Sequence, residues 1–193
     1  NTPGLRDLQS EKLLLSLIKS VKQGLKEKNI HIPIFIKISP EVDKKTLENL
    51  IKISKNQNIM GLIISNTTTS RNFDLLSKYK KETGGLSGKP LFKKSTETLI
   101  SANKISKKTK GKIYFIAVGG VENSYTAYIK ILCGANLIQL YTSLIYMGPS
   151  VVEEIIMGLQ QYMKRDKLQD LNQVTGFAKS FEEAQNIAIN GFK

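Results

Sequence analysis

The stretch Ile59-Met60-Gly61-Leu62-Ile63-Ile64-Ser65-Asn66-Thr67-Thr68 stays apolar for six residues and then turns abruptly polar. An unbroken, Ile-rich run of this length predicts a strand buried on both faces, the habit of strands in parallel sheets. The polar cluster at its C-terminal end predicts something further. Parallel strands gather functional groups at their carboxyl ends.

The same unit recurs on either side. Residues 33–39, Pro-Ile-Phe-Ile-Lys-Ile-Ser, predict a strand interrupted by one lysine, Lys37. Residues 113–118 predict a third strand that ends in Gly119-Gly120, and residues 137–141 a fourth that ends in Tyr141-Thr142-Ser143. Between them lie stretches with apolar residues three and four apart, which predict helices over 11–26, 44–55, about 94–106, 124–132 and from after Pro149 to about 164. Ser180 with Glu183 predicts a capping box before a last helix over 181–189.

Strands alternating with helices of this length imply parallel βαβ units. A doubly wound sheet and a (β/α) barrel both satisfy that pattern. Polar groups at successive strand ends favour the barrel: Ser65-Asn66-Thr67-Thr68, Gly119-Gly120 and Tyr141-Thr142-Ser143. The backbone N–H groups of Gly120, Tyr141 and Thr142 would form an anion cradle. Taken singly these signals are ordinary. Gly119-Gly120 is more often a tight turn, Asn66-Thr67-Thr68 a turn or cap, and Gly84-Gly85-Leu86-Ser87-Gly88 a flexible loop. Lys37 is harder to dismiss, because an ammonium set between Ile36 and Ile38 is costly to bury without a partner. It is read as an anion or cofactor contact.

Composition narrows the class. The chain has 193 residues, 40% hydrophobic and 23% charged, which fits a folded domain with a core rather than disorder. One cysteine, Cys133, excludes a disulfide scaffold, and with the single His31 it makes zinc a poor reading. His31 is expected at the surface and Cys133 as a small buried hydrophobe. No apolar run reaches the length of a membrane span, and the first residues lack the layout of a signal peptide. The formal net charge is +13. Arg6, Arg71 and Arg165 are the only arginines, whereas nucleic-acid surfaces favour the bidentate guanidinium. The lysine excess, densest over residues 78–112, is therefore read as a solvated basic face, with no nucleic-acid partner expected.

Six pieces in order carry a resemblance: Asn1-Thr2-Pro3-Gly4-Leu5-Arg6, Ile36-Lys37-Ile38, Ser65-Asn66-Thr67-Thr68, Gly84-Gly85-Leu86-Ser87-Gly88-Lys89-Pro90-Leu91, Val118-Gly119-Gly120-Val121 and Gln139-Leu140-Tyr141-Thr142. Together they resemble the C-terminal part of a family 2, quinone-dependent dihydroorotate dehydrogenase. The resemblance implies an α/β fold, the C-terminal half of a (β/α)8 TIM barrel, over residues 1–165. Residues 166–193 resemble a variable helical tail. It implies FMN as cofactor, oxidation of dihydroorotate to orotate in pyrimidine biosynthesis, and quinone as electron acceptor. Lys37 and Ser65 would touch the flavin. Gly88 and Gly120 would line the ribityl-phosphate path, and Tyr141 with Thr142 would hold the phosphate. Asn1, Asn66 and Thr67 would bind the substrate ring and carboxylate.

In that family the base is a serine in a Ser-Pro-Asn-Thr motif, which here would fall just before Asn1. The chain is therefore expected to be a fragment without its catalytic serine, inactive alone and with two open sheet edges. A peripheral membrane contact is expected through a missing N-terminal segment, at a bacterial inner membrane on its cytoplasmic side or at a mitochondrial inner membrane. The alternatives are a family 1 dihydroorotate dehydrogenase, a tRNA-dihydrouridine synthase, and an inactive half-barrel.

Overall fold

Four Ile- and Val-rich segments become four parallel strands in the computed structural model, which describes residue 8 and residues 10–192. They are β1 (Phe35–Ile38), β2 (Gly61–Ile64), β3 (Tyr114–Val118) and β4 (Leu137–Gln139). The helices are α1 (Glu11–Glu27), α2 (Lys44–Asn56), α3 (Phe92–Lys107), α4 (Ser124–Leu132), α5 (Thr142–Met147), α6 (Ser150–Arg165) and α7 (Phe181–Asn190).

The sheet order is β1-β2-β3-β4, each strand bonded to its neighbour in the chain. A doubly wound sheet reverses its order at a switch point. No reversal occurs here, so the winding is that of a barrel wall. Right-handed crossovers of one kind keep adding strands in one direction.

The two faces of the sheet differ as the pleat requires. Ile38, Leu62, Ile64, Phe115 and Ala117 point to the helical side, where they join Leu47, Leu50, Ile51, Leu99, Tyr128 and Leu132 in one buried cluster. On the opposite face the register aligns Lys37 with Ile63, Ile63 with Ile116, and Ile116 with Leu137. β1 and β4 are the sheet edges, and Leu137 on β4 is 59% exposed.

Local chemistry explains the helix ends. Asp43 caps α2 by accepting from Thr46 N–H at 3.0 Å. Asn123 and Thr126 form a reciprocal capping box on α4. At α7 the Ser180 hydroxyl accepts from Glu183 N–H at 3.1 Å, but Glu183 Oε2 accepts from Lys179 N–H rather than from Ser180, so half of the expected box forms. α3 begins earlier than its periodicity predicts, because Pro90 starts a 3-10 turn over Lys89–Leu91 that runs straight into it. β4 is shorter than predicted: at Tyr141 the backbone leaves the extended region (φ −144°, ψ −69°) and enters the unanticipated α5.

The C-terminal segment is bound into the same core. Phe181, Ala184, Ile187 and Ala188 of α7 belong to the main cluster. Arg165 at the end of α6 donates to the carbonyls of Ala188 and Ile187 at 2.8 and 2.9 Å.

Candidate active site

The strand ends open onto one cleft of about 1060 Å3. Its lining brings together Lys37, Ser65, Asn66, Thr67, Gly88, Gly120, Tyr141 and Thr142. These residues come from the ends of all four strands and the loop before α3. Asn1 lies outside the described residues.

Lys37 departs from its expected setting. It is not buried between its isoleucine neighbours, because the pleat sends it to the face opposite Ile38, where it is exposed to the cleft. Lys89 and Glu122, at the rim, pair with each other at 3.4 Å. Among the described lining residues, Lys37 is the cation left without a carboxylate partner.

The end of β2 is held firmly. Ser65 N–H donates to Val118 O at 3.0 Å and Asn66 N–H to Ile38 O at 2.8 Å, so the polar turn spans both neighbouring strands. Asn66 Oδ1 accepts from Thr67 N–H at 2.9 Å, which leaves the carboxamide NH2 to donate to a ligand's oxygens. Thr68 is fully buried. Its hydroxyl donates to Glu41, and its backbone bridges Leu86 in both directions. Burial would raise the Glu41 carboxyl, but bonds from Thr68 and Ser39 and the Lys94 ammonium at 3.3 Å outweigh it and hold it below the usual range. Glu41 thus ties the loop after β1 to the loop after β2.

The far end of the cleft is shaped by glycine. Gly120 has φ +73°, and a Cβ there would come within 2.6 Å of Phe92 Cα and 2.7 Å of Phe92 N. The turn therefore lies directly on the first residue of α3. Gly88 has φ +76°, and a Cβ would meet Thr142 Cγ2 at 2.9 Å. Both positions need glycine for conformation and for space. Ser143, beside them, is buried, and its Oγ has no hydrogen-bond partner. A buried hydroxyl without a partner in a cleft wall is suited to a polar ligand atom.

The sequence assigns no role to Tyr146 in the cleft lining or to Glu41 behind it, and Gln139 and Ser143 enter only as parts of a strand end. Glu41 carries a legible signal, since it lies three residues past the end of β1, on the loops at the site-bearing edge of the sheet. Cys133 and His31 fall where expected: Cys133 is fully buried, its thiol pushed up to about 12 by burial, and His31 is exposed. Among the described residues no helix is long and apolar enough to cross a membrane.

Comparison with known proteins agrees with this geometry. A family model described as dihydroorotate dehydrogenase matches residues 1–163. A dihydroorotate dehydrogenase (quinone) of Bartonella tribocorum is 41% identical over 175 residues, covering 89% of this chain and 48% of that protein. One of Sinorhizobium fredii is 36% identical over 191 residues, covering 97% and 52%. The crystal structure of DHODH from Eimeria tenella in complex with ferulenol superposes with a TM-score of 0.85 at 29% identity, over 92% of this chain and 51% of that one. The ligand-free form gives 0.83 at 30% identity, over 92% and 52%. The chain spans about half the length of the relatives it matches. With its parallel sheet flanked by helices and a match over residues 1–163, it belongs to the dihydroorotate dehydrogenase family.

Proposed function

We propose that the protein carrying this chain oxidises dihydroorotate to orotate for pyrimidine synthesis, using FMN and passing electrons to a quinone. The observation that carries this reading is the convergence of Lys37, Ser65, Asn66, Thr67, Gly88, Gly120, Tyr141 and Thr142 on one cleft.

The residues present suit a flavin mononucleotide. The wall at Gly88 and Gly120 has no room for side chains. The partnerless Ser143 hydroxyl supplies a polar atom where a phosphate ester would lie, next to Tyr141 and Thr142. When bound, FMN would supply a two-electron acceptor for the hydride leaving C6 of dihydroorotate, while the C5 proton goes to a general base. Lys37 would offer its ammonium to the flavin ring and stabilise negative charge on it. Ser65, in the cleft wall, would contact the flavin. Asn66 donates its amide to substrate oxygens, and Thr67 its hydroxyl, which orients the ring for transfer. Gly120 and the backbone before α5 hold the phosphate.

In this reading residues 1–165 make up half of the barrel and residues 166–193 a helical tail. Because quinones dissolve in lipid, the protein works as a peripheral protein at a membrane surface. The test is direct. The flavin is extracted from purified protein and identified, and turnover with dihydroorotate is followed with a quinone and then with fumarate or NAD as acceptor. FMN with quinone-dependent turnover supports the reading. Turnover with fumarate or NAD alone, or a different flavin, overturns it.

A further inference from the structure

Lys130 lies on α4 with no exposed surface, among the largest fully buried side chains of the molecule. Its Nζ donates to Ser95 Oγ at 2.6 Å. The Ser95 hydroxyl in turn lies 3.1 Å from the carbonyls of both Gly119 and Phe92. Gly119 and Gly120 line the cleft. Lys130 therefore reaches the back of the cleft's glycine turn through a single hydroxyl.

This placement is electrostatically odd. Among the described residues no carboxylate pairs with Lys130. The Phe92 ring, 5.1 Å from Nζ, and Ser95 are its neighbours. Both belong to the first turn of α3, the positive end of a sixteen-residue helix, where a cation is unfavourable. Burial pulls the Lys130 ammonium down to about 7, and the titratable group beside it is the thiol of Cys133, the C-cap residue of α4. An unpaired buried ammonium is costly. A phosphate bound at the glycine turn would favour the protonated lysine, which together with a helix N-terminus and the partnerless Ser143 hydroxyl raises the positive potential at one end of the cleft.

We propose that Lys130 is a positioning residue and buried counter-charge for the phosphate monoester that sits against Gly119-Gly120. It acts through Ser95, which fixes the Gly119 carbonyl and so aims the turn. The inference rests on the placement of the FMN phosphate proposed above.

The experiment compares affinities for FMN and riboflavin, which differ in the phosphate alone, using the protein as its cell makes it, stripped of flavin. The parent should prefer FMN strongly. Lys130→Met keeps the volume and removes the charge. It should weaken FMN about 10- to 100-fold, leave riboflavin within about twofold, and raise the melting temperature of the flavin-free protein. Ser95→Ala, a smaller change, should weaken FMN several-fold and spare riboflavin, and it serves if Lys130→Met does not fold. Equal losses for both ligands, or an unchanged FMN affinity in both variants, overturn the role of Lys130. A parent that does not distinguish FMN from riboflavin overturns the phosphate placement itself, and this inference with it.

Discussion

Thr142 Oγ1 donates to Ser87 Oγ at 2.9 Å, joining the start of α5 to the loop that precedes α3. The two segments leave the sheet from β4 and β2 and are 55 residues apart. Gly88 packs under the same threonine. The bond ties together two segments of the cleft wall, which Gly120 and Ser143 also line. Ligand groups bound there meet a wall fixed in advance, which lowers the ordering cost of binding.

Gly120→Ala tests that wall. The new methyl would strike the backbone of Phe92 in a conformation that disfavours a side chain. Loss of roughly 1 to 3 kcal/mol of stability is expected, together with a marked drop in bound flavin. Thermal unfolding and flavin content per chain measure both. Full flavin content at parental stability would mean that the turn relaxes freely and does not shape the site.

Lys37→Ala should leave the fold intact, since the side chain is exposed to the cleft and makes no core contact. Flavin reduction should slow about 100-fold or more, the usual cost of removing a fixed group that meets developing negative charge. Lys37→Arg should not restore the rate, because a planar fork does not replace a compact ammonium. Rapid-mixing reduction kinetics give the answer, and a parental rate in Lys37→Ala would remove the electrostatic role.

Asn66→Ala removes the amide donors and the Oδ1 that accepts from Thr67 N–H, while the backbone N–H groups of residues 65 and 66 keep their bonds to Val118 and Ile38. Buried substrate oxygens left unpaired should cost roughly 1 to 3 kcal/mol of orotate binding. Flavin content should stay near parental, because the glycine wall and Thr142 are untouched. Orotate titration of the yellow protein measures this. A colourless variant whose residual holo fraction binds orotate normally would reassign Asn66 to cofactor retention.

Asp166 predicts an acid limit. Burial alone would raise its carboxyl, but Arg165 at 2.8 Å and the Tyr128 hydroxyl at 2.6 Å outweigh burial and hold it below its usual range. A depressed folded value means stability that is present above the ordinary aspartate range and lost as pH falls through the folded value. Asp166→Asn should therefore cost roughly 3 kcal/mol near neutrality and lose less than the parent on acidification. Parallel pH profiles for the two proteins would contradict this.

The strands and the cleft were legible because both rest on local pattern. The run from Ile59 to Ile64 ends in Ser65-Asn66-Thr67, and a strand end is where a barrel shows its chemistry. The side of the sheet on which Lys37 falls was not legible, since it depends on which face the helices cover. α5 escaped notice because six residues are too few to show a helical period. Lys130 was invisible for another reason. Within Tyr128-Ile129-Lys130-Ile131 it reads as the solvent side of a helix, yet α6 and α7 pack on α4, and Phe92 and Ser95 of α3 lie against the lysine, which has no exposed surface.

The central claim is that one cleft sets a flavin against dihydroorotate, with its phosphate end at Gly120, Tyr141 and Thr142 and its substrate end at Asn66 and Thr67. The most direct measurement is anaerobic addition of dihydroorotate to the purified flavoprotein while flavin absorbance is followed, with and without excess orotate. The account predicts that dihydroorotate bleaches the flavin, that orotate blocks the bleaching, and that a quinone restores the colour. A flavin that stays oxidised in the presence of dihydroorotate would contradict it.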